Sequence, residues 1–227
     1  MLIDWVQALK PLTDKGTWYW DLDGKCRPKI MTHPTDIGWI YADVKMPGTE
    51  ETGLDCGFFT YMHNLIFKRE AVHSYCMECY KVVVCPQSLE QVHKIAEWQS
   101  DLGVACKVGA EARNYTQRAW GAYFYCRGLE EGRERYKQVR EWVDENLGED
   151  VKVFLKLACT EFEQHMGDSD IWKKIPGQDE LEAEALEVIP PMSSDGFQAD
   201  IVKHHVWDVW DQWDKDNQPP VTYHEEK

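Results

Sequence analysis

The chain has 227 residues, with 40 acidic and 25 basic side chains and a net charge of −15 with histidine neutral. That acidity argues against duplex nucleic acid or an anionic membrane as the main partner. No apolar run approaches the ~20 residues that would span a bilayer, and Met1-Leu2-Ile3-Asp4-Trp5 lacks the basic segment and apolar core of a secretory leader.

A cytoplasmic location is therefore expected. In a reducing compartment the eight cysteines serve as free thiols or ligands rather than disulfides. Eleven tryptophans run from Trp5 to Trp213, and such bulky side chains demand packing surface, so few segments should be free tails. The charge is uneven. Asp168 to Lys227 hold 15 acidic against 5 basic residues, while residues 80 to 160 hold 12 of each. The acidic C-terminal part suits solubility or docking to a basic protein partner.

In chain order, Asp4 to Leu9 reads as a short helix ending before Pro11. Thr17 to Trp20 reads as a strand, closed by the turn Asp21-Leu22-Asp23-Gly24. Trp39 to Lys45 forms another strand candidate, Pro47 to Asp55 a loop, and Phe58 to Lys68 either helix or strand. The middle is clearer. Tyr80 to Cys85 is a β-branched strand stopped by Pro86. Ser88 and Gln91 form a capping box for a helix with Leu89, Val92, Ile95, Ala96 and Leu102 at helical spacing, which Gly103 ends. Val104 to Arg113 alternates with period two, as a strand does, and Ala122 to Arg127 does the same. Gly128 opens a second helix through Leu129, Gly132, Tyr136, Val139, Val143 and Leu147. Val151 to Cys159 is a fourth strand, and Thr160 with Glu163 starts a short helix. Further on, a helix is expected near Leu181 to Leu186 and another over Ile201 to Asp214.

The order β-α-β-β-α-β is the ferredoxin-like, split βαβ pattern. Right-handed crossovers then give a sheet order of 4-1-3-2 with both helices on one face. The expected architecture is an α+β chain in three parts. Residues 1–75 form an N-terminal extension, 76–166 a ferredoxin-like core, and 167–227 an acidic, Trp-rich C-terminal extension, with both extensions covering the sheet. The rival arrangement is a larger sheet that recruits strands from the N-terminal third.

In the 4-1-3-2 order the start of strand one lies beside the ends of strands three and four. Cys76 and Cys79, a CxxC pair, precede strand one; Cys126 ends strand three and Cys159 ends strand four. Neighbouring strands lie about 4.8 Å apart, so several thiols can meet at this edge around zinc or an iron–sulfur cluster. Parity puts Cys126 and Cys159 on the helix-facing side, which makes Cys56, followed by Gly57, a competitor. The candidate ligands rank as Cys76 and Cys79, then Cys56 and Cys159, then Cys126. Cys26 and Cys106 are weaker, and Cys85 sits at the far end of strand one. His63, His73 and His165 could extend the ligand set.

The other sheet face carries Lys81, Arg113, Tyr125, Arg127 and Lys156, which could hold an anionic small molecule beneath the extensions, since buried cations need anionic partners. Strand three does not match an RNA-binding signature. No catalytic triad, phosphate loop or dinucleotide fingerprint is present.

The expected function is thus a cysteine-ligated zinc or iron–sulfur protein with an anion pocket on the open face. The alternatives are a metal-free anion-binding module or enzyme using the Lys/Arg/Tyr face, and an interaction protein docking through Trp207, Trp210 and Trp213.

Overall fold

A computed structural model describes residues 3–28, 38–42, 56–113, 115–116, 118–189 and 200–217. The loop expected at 47–55 lies outside the described residues. Helix α1 (Trp5–Asp14) starts where the Asp4 carboxylate accepts from the amides of Val6 and Gln7. It continues through Pro11 rather than stopping before it. Trp5 and Leu9 are buried on one face and hold the helix against its neighbours despite the amide that proline lacks. Strands β1 (Trp18–Trp20) and β2 (Cys26–Pro28) pair as a hairpin, and Asp21 braces the turn by accepting from the amides of Asp23 and Lys25.

β3 (Trp39–Tyr41) joins the main sheet. α2 (Cys56–Tyr61) runs directly into a π-helical turn, Met62–Ile66, which resolves the ambiguous aromatic stretch as helix. The one-turn α3 (Ser74–Met77) leads into β4 (Cys79–Val84). Then come α4 (Leu89–Leu102), β5 (Cys106–Ala110), β6 (Trp120–Arg127), α5 (Gly128–Asn146) and β7 (Val153–Leu157). The remaining helices are α6 (Thr160–Met166), α7 (Gln178–Val188) and α8 (Asp200–Asn217).

The sheet runs β3-β5-β6-β4-β7, and every neighbouring pair is antiparallel. The four strands β5-β6-β4-β7 follow the expected order. The fifth strand, β3, makes the sheet larger than a four-stranded core. It docks closely because Gly109 has no side chain: a Cβ there would come within 2.1 Å of the Gly38 carbonyl oxygen.

One face of the sheet, with Val82, Val84, Val108, Ala122 and Phe124, packs on Val92 and Ile95 of α4 and on Val139 and Val143 of α5. α8 joins this same core through Val206 and Trp210. Trp210 Nε1 donates to the Gly38 carbonyl at 2.9 Å, and Trp213 Nε1 to the Ala119 carbonyl at 3.0 Å. The C-terminal helix therefore packs on the helix side and does not cover the open face. Its tryptophans fill the space beside α4 above β3 and β5, which a four-stranded sheet would not have offered. On the opposite face lie Trp39, Val83, Tyr123 and Tyr125. A second core joins α1, α2 and α7 through Leu9, Phe58, Met62, Leu181 and Ala185, and it reaches Cys76 and Phe162.

Candidate functional site

A cavity of about 400 Å³ opens on the sheet face opposite α4 and α5, at the edge where β4 begins. Cys56, Cys76, Cys79 and Cys159 all line it. Each arrives from a different segment. Cys56 is the first residue of α2 and is exposed. Cys76 sits in the single turn of α3, which His73 starts by accepting from the Tyr75 amide at 3.3 Å. Cys79 is the first residue of β4, opposite Arg127 of β6. It shares the parity of Lys81 and Val83, and so the open face.

Cys159 was expected on the helix side. It reaches the cavity because Ala158 adopts a left-handed backbone, φ 54°, which interrupts the strand alternation one residue earlier. The Ala158 amide donates to the Cys79 carbonyl at 2.9 Å, tying the turn to β4.

Lys81, Lys107 and Arg113 supply the positive wall, with Tyr41, Tyr75, Tyr123 and Tyr125 around them and Glu161 as a carboxylate. Lys81 is only 5% exposed. Its ammonium donates to Cys159 Sγ at 3.0 Å and lies 6.0 and 5.8 Å from the ring centres of Tyr123 and Tyr125. Burial works against this ammonium, but the sulfurs of Cys159 and Cys79 outweigh it and raise the Lys81 pKa. Burial pushes the Cys76 thiol well above its ordinary value, and the neighbouring cysteines add to the effect. Cys79 is pushed up to about 11, again chiefly by burial. Cys76 and Cys79 therefore stay protonated as free thiols at neutral pH; binding a metal is what would deprotonate them.

Arg113 closes one side of the cavity. Its Nη1 donates to Glu161 at 2.9 Å and its Nη2 to the Tyr123 hydroxyl at 2.7 Å, and it also pairs with the buried Glu111. Tyr123 in turn donates to Glu111 and accepts from Arg118 Nη2 at 2.7 Å. Burial raises the Glu161 pKa, but the neighbouring Tyr115 hydroxyl and Arg113 guanidinium overcome it and hold the carboxyl at about 2. Glu161 is therefore an anion at any physiological pH.

Of the five proposed anion-holding residues, Lys81, Arg113 and Tyr125 line this cavity. Arg127 and Lys156 do not. The Arg127 guanidinium lies 5.6 Å from the centre of the Tyr75 ring, and Lys156 pairs with Glu163 of α6. Among the described residues, Arg113 is balanced by Glu111 and Glu161, and Lys156 by Glu163. Cys126 and Cys106 face the helices, where Cys126 Sγ donates to the Phe124 carbonyl and Cys106 Sγ to Gln99. Cys26 belongs to the second core, and Cys85 accepts from Arg118 Nη1 at 3.2 Å at the other end of β4.

The histidines are engaged elsewhere. His63 Nδ1 lies 2.7 Å from the Ala71 carbonyl and its Nε2 3.4 Å from His165. His73 stacks on Tyr75, with Nε2 3.8 Å from Glu182.

Sequence reasoning left Tyr41, Tyr75, Phe59 and Phe162 out of the site. Their segments show no alternation that reports a face. Glu161 was legible only as a carboxylate two residues after Cys159.

Among the described residues, no group of three or more His, Cys, Asp or Glu side chains is arranged to hold a metal ion. No described helix is long and apolar enough to cross a membrane. Comparison with protein-family models, curated proteins and solved structures finds no match.

Proposed function

We propose that β4–β7 with α4 and α5 form a ferredoxin-like core whose open face carries an iron–sulfur cluster. Cys56, Cys76, Cys79 and Cys159 are the ligands, and the protein serves electron transfer or cluster-based chemistry. The observation that carries this reading is the convergence of four cysteines, from three separate stretches of chain, on one cavity that also buries an ammonium group.

Geometry favours a cluster over a single zinc. Four sulfurs bound at about 2.3 Å to one ion sit only about 3.8 Å apart. A cuboidal cluster gives each thiolate its own iron and spreads the sulfurs more widely. A cavity of about 400 Å³ lined by all four cysteines has the volume for the second arrangement. Charge points the same way. A thiolate-bound cluster is anionic, and Lys81, Lys107 and Arg113 share its cavity. The Arg113 and Lys107 side of the cavity leaves room for a small anionic molecule beside the cluster.

Purification of the full chain without oxygen, followed by reconstitution with ferrous iron and sulfide, tests the proposal. Brown protein with broad visible absorbance, iron and acid-labile sulfide is expected, and Cys76→Ser with Cys79→Ser should remove all three. Colourless protein holding stoichiometric zinc would replace the cluster with a zinc site. Protein that binds neither metal, and that folds unchanged in the double variant, would end the cysteine-ligand reading and leave the metal-free anion site on the Lys/Arg/Tyr wall.

A further inference from the structure

We propose that a second cavity, at the end of β4 far from Cys76 and Cys79, binds a small organic phosphate through Arg118 and Lys152. It has a volume of about 360 Å³, and its wall includes Cys85, Pro86, Arg118, Trp120, Lys152 and Asp214. It shares no lining residue with the cysteine cavity, so the inference is independent of any metal there.

Its basis is a pair of cations gathered without a carboxylate. The Cys85 amide donates to the Lys152 carbonyl at 2.9 Å, tying the end of β4 to the start of β7. The Lys152 ammonium and the Arg118 guanidinium then lie 5.2 and 5.9 Å from the centre of one ring, that of Phe154. Like charges held near one another repel. Among the described residues, neither forms an ion pair with a carboxylate. Arg118 donates to Cys85 Sγ at 3.2 Å and to the Tyr123 hydroxyl at 2.7 Å. The sulfur is a weak acceptor, and the carboxylate behind Tyr123, Glu111, is already paired with Arg113. Arg118 Nε is buried and makes no hydrogen bond among the described residues. A guanidinium with N–H donors left over, beside an ammonium, is an oxyanion site.

Charge and wall chemistry select the occupant. Asp214 on the same wall works against any anion, but two cations against one carboxylate leave the wall positive. Attraction therefore grows with the charge of the ligand. A phosphate monoester carries close to two negative charges at neutral pH, and a carboxylate carries one. The guanidinium fork matches phosphate oxygens in pairs, while lysine acts as a point charge. Pro86 and Trp120 supply apolar surface for the organic group.

Isothermal titration calorimetry of the full chain, purified without added metal, tests the site with phenyl phosphate, inorganic phosphate and benzoate. Phenyl phosphate should bind most tightly, inorganic phosphate less so for want of apolar contact, and benzoate least. Lys152→Met, at an exposed position, should weaken phenyl phosphate about tenfold and leave the urea midpoint unchanged. Arg118→Lys, which keeps the charge and loses the fork, should weaken it by a similar factor, and Asp214→Asn should tighten it. Lys107→Met, in the cysteine cavity, should change nothing. Absence of binding by both phosphates would overturn the proposal, as would benzoate binding as tightly as phenyl phosphate. Affinity that survives Lys152→Met would overturn it even if Arg118→Lys failed to fold. Affinity lost in Lys107→Met instead would move the anion to the cysteine cavity and also overturn it. None of these readouts involves iron or sulfide, so the cluster reading stands or falls separately.

Discussion

Ala158 adopts a backbone that glycine usually supplies, φ 54°, and it does so 1% exposed, with its amide bonded to the Cys79 carbonyl. For a residue with a Cβ this conformation costs about 1–2 kcal/mol. The cost brings Cys159 round to the cavity, so the strain sits beside the proposed chemistry. Ala158→Val adds a β-branch to a left-handed residue in a packed site and should destabilise the fold by about 1–3 kcal/mol. It should also lower iron retention by displacing the sulfur. Ala158→Gly removes the strain but adds backbone freedom to the unfolded chain, worth about 0.5–1 kcal/mol, so stability should change by less than ~1 kcal/mol and iron should be kept. Urea denaturation and iron content of the two variants check this; equal behaviour of Val and Gly would show that the turn does not place Cys159. The same residue explains why parity failed there. Alternation assigns faces correctly for Lys81, Val83, Tyr123 and Tyr125, but a single left-handed residue resets it, and nothing about an alanine announces that conformation.

Among the elements, β3 is the one that changes the sheet. It is three residues long and is held by pairing with β5, by the Ala110 amide donating to the Gly38 carbonyl at 3.0 Å, and by Trp210 donating to that same carbonyl. One carbonyl thus joins a strand edge and a C-terminal helix, and Gly109 provides the clearance. Gly109→Ala would place a methyl group 2.1 Å from that oxygen and 2.9 Å from Trp39 Cα. Backbone cannot give way as the end of a flexible side chain can, so a loss of about 1–3 kcal/mol is expected. Tryptophan fluorescence should show Trp39 and Trp210 becoming more exposed. A variant as stable as wild type, with unchanged fluorescence, would contradict this account of the edge. The four strands β4 to β7 and their two helices were legible because period two and period 3.6 alternate cleanly, with the Ser88 cap opening the first helix. The strand at Trp39 was legible but its place in the sheet was not, and neither the hairpin partner β2 nor the run of α1 through Pro11 was, since tertiary contacts rather than local pattern decide them. The tail tryptophans show the same limit. Their spacing identifies a helix, but Trp210 is buried in the core while Trp207 stays 39% exposed.

At the scale of the molecule, the cavity lies between the open face of the sheet and the second core, and buried titratable groups link the fold to pH. Burial lowers the pKa of His63 and of His73, outweighing the Ala71 carbonyl in one case and Glu182 in the other. Unfolded histidine titrates near ~6.5, so between the two states the unfolded chain binds more protons and stability rises with pH. This contribution is complete above ~6.5 and is lost as pH falls through the lowered folded values. The carboxylates act further into acid. Glu111 and Glu161 are held below their ordinary range, despite burial, by Arg113 with Tyr123 and by Tyr115 with Arg113, so their contribution is present above about 4.5 and lost as pH falls toward the folded values. The urea midpoint should be level above about pH 7, fall from ~6.5 and fall more steeply below about 4.5. A midpoint unchanged between pH 7 and 5 would rule out the histidine contribution.

The sequence by itself determined the repeating parts of this protein: the strand and helix periods of residues 80–160, the faces that Lys81, Tyr123 and Tyr125 take, and the edge to which Cys76 and Cys79 belong. These follow from local geometry, in which each side chain's direction is set by its neighbours along the chain. Only the tertiary structure decided that Cys56 reaches that edge and that Cys159 turns to its open face, that β3 widens the sheet and that the C-terminal helix packs beside α4. Those outcomes depend on one left-handed alanine, one glycine that allows close approach, and the burial of tryptophans against segments far away in sequence. Such energies arise only when the parts meet.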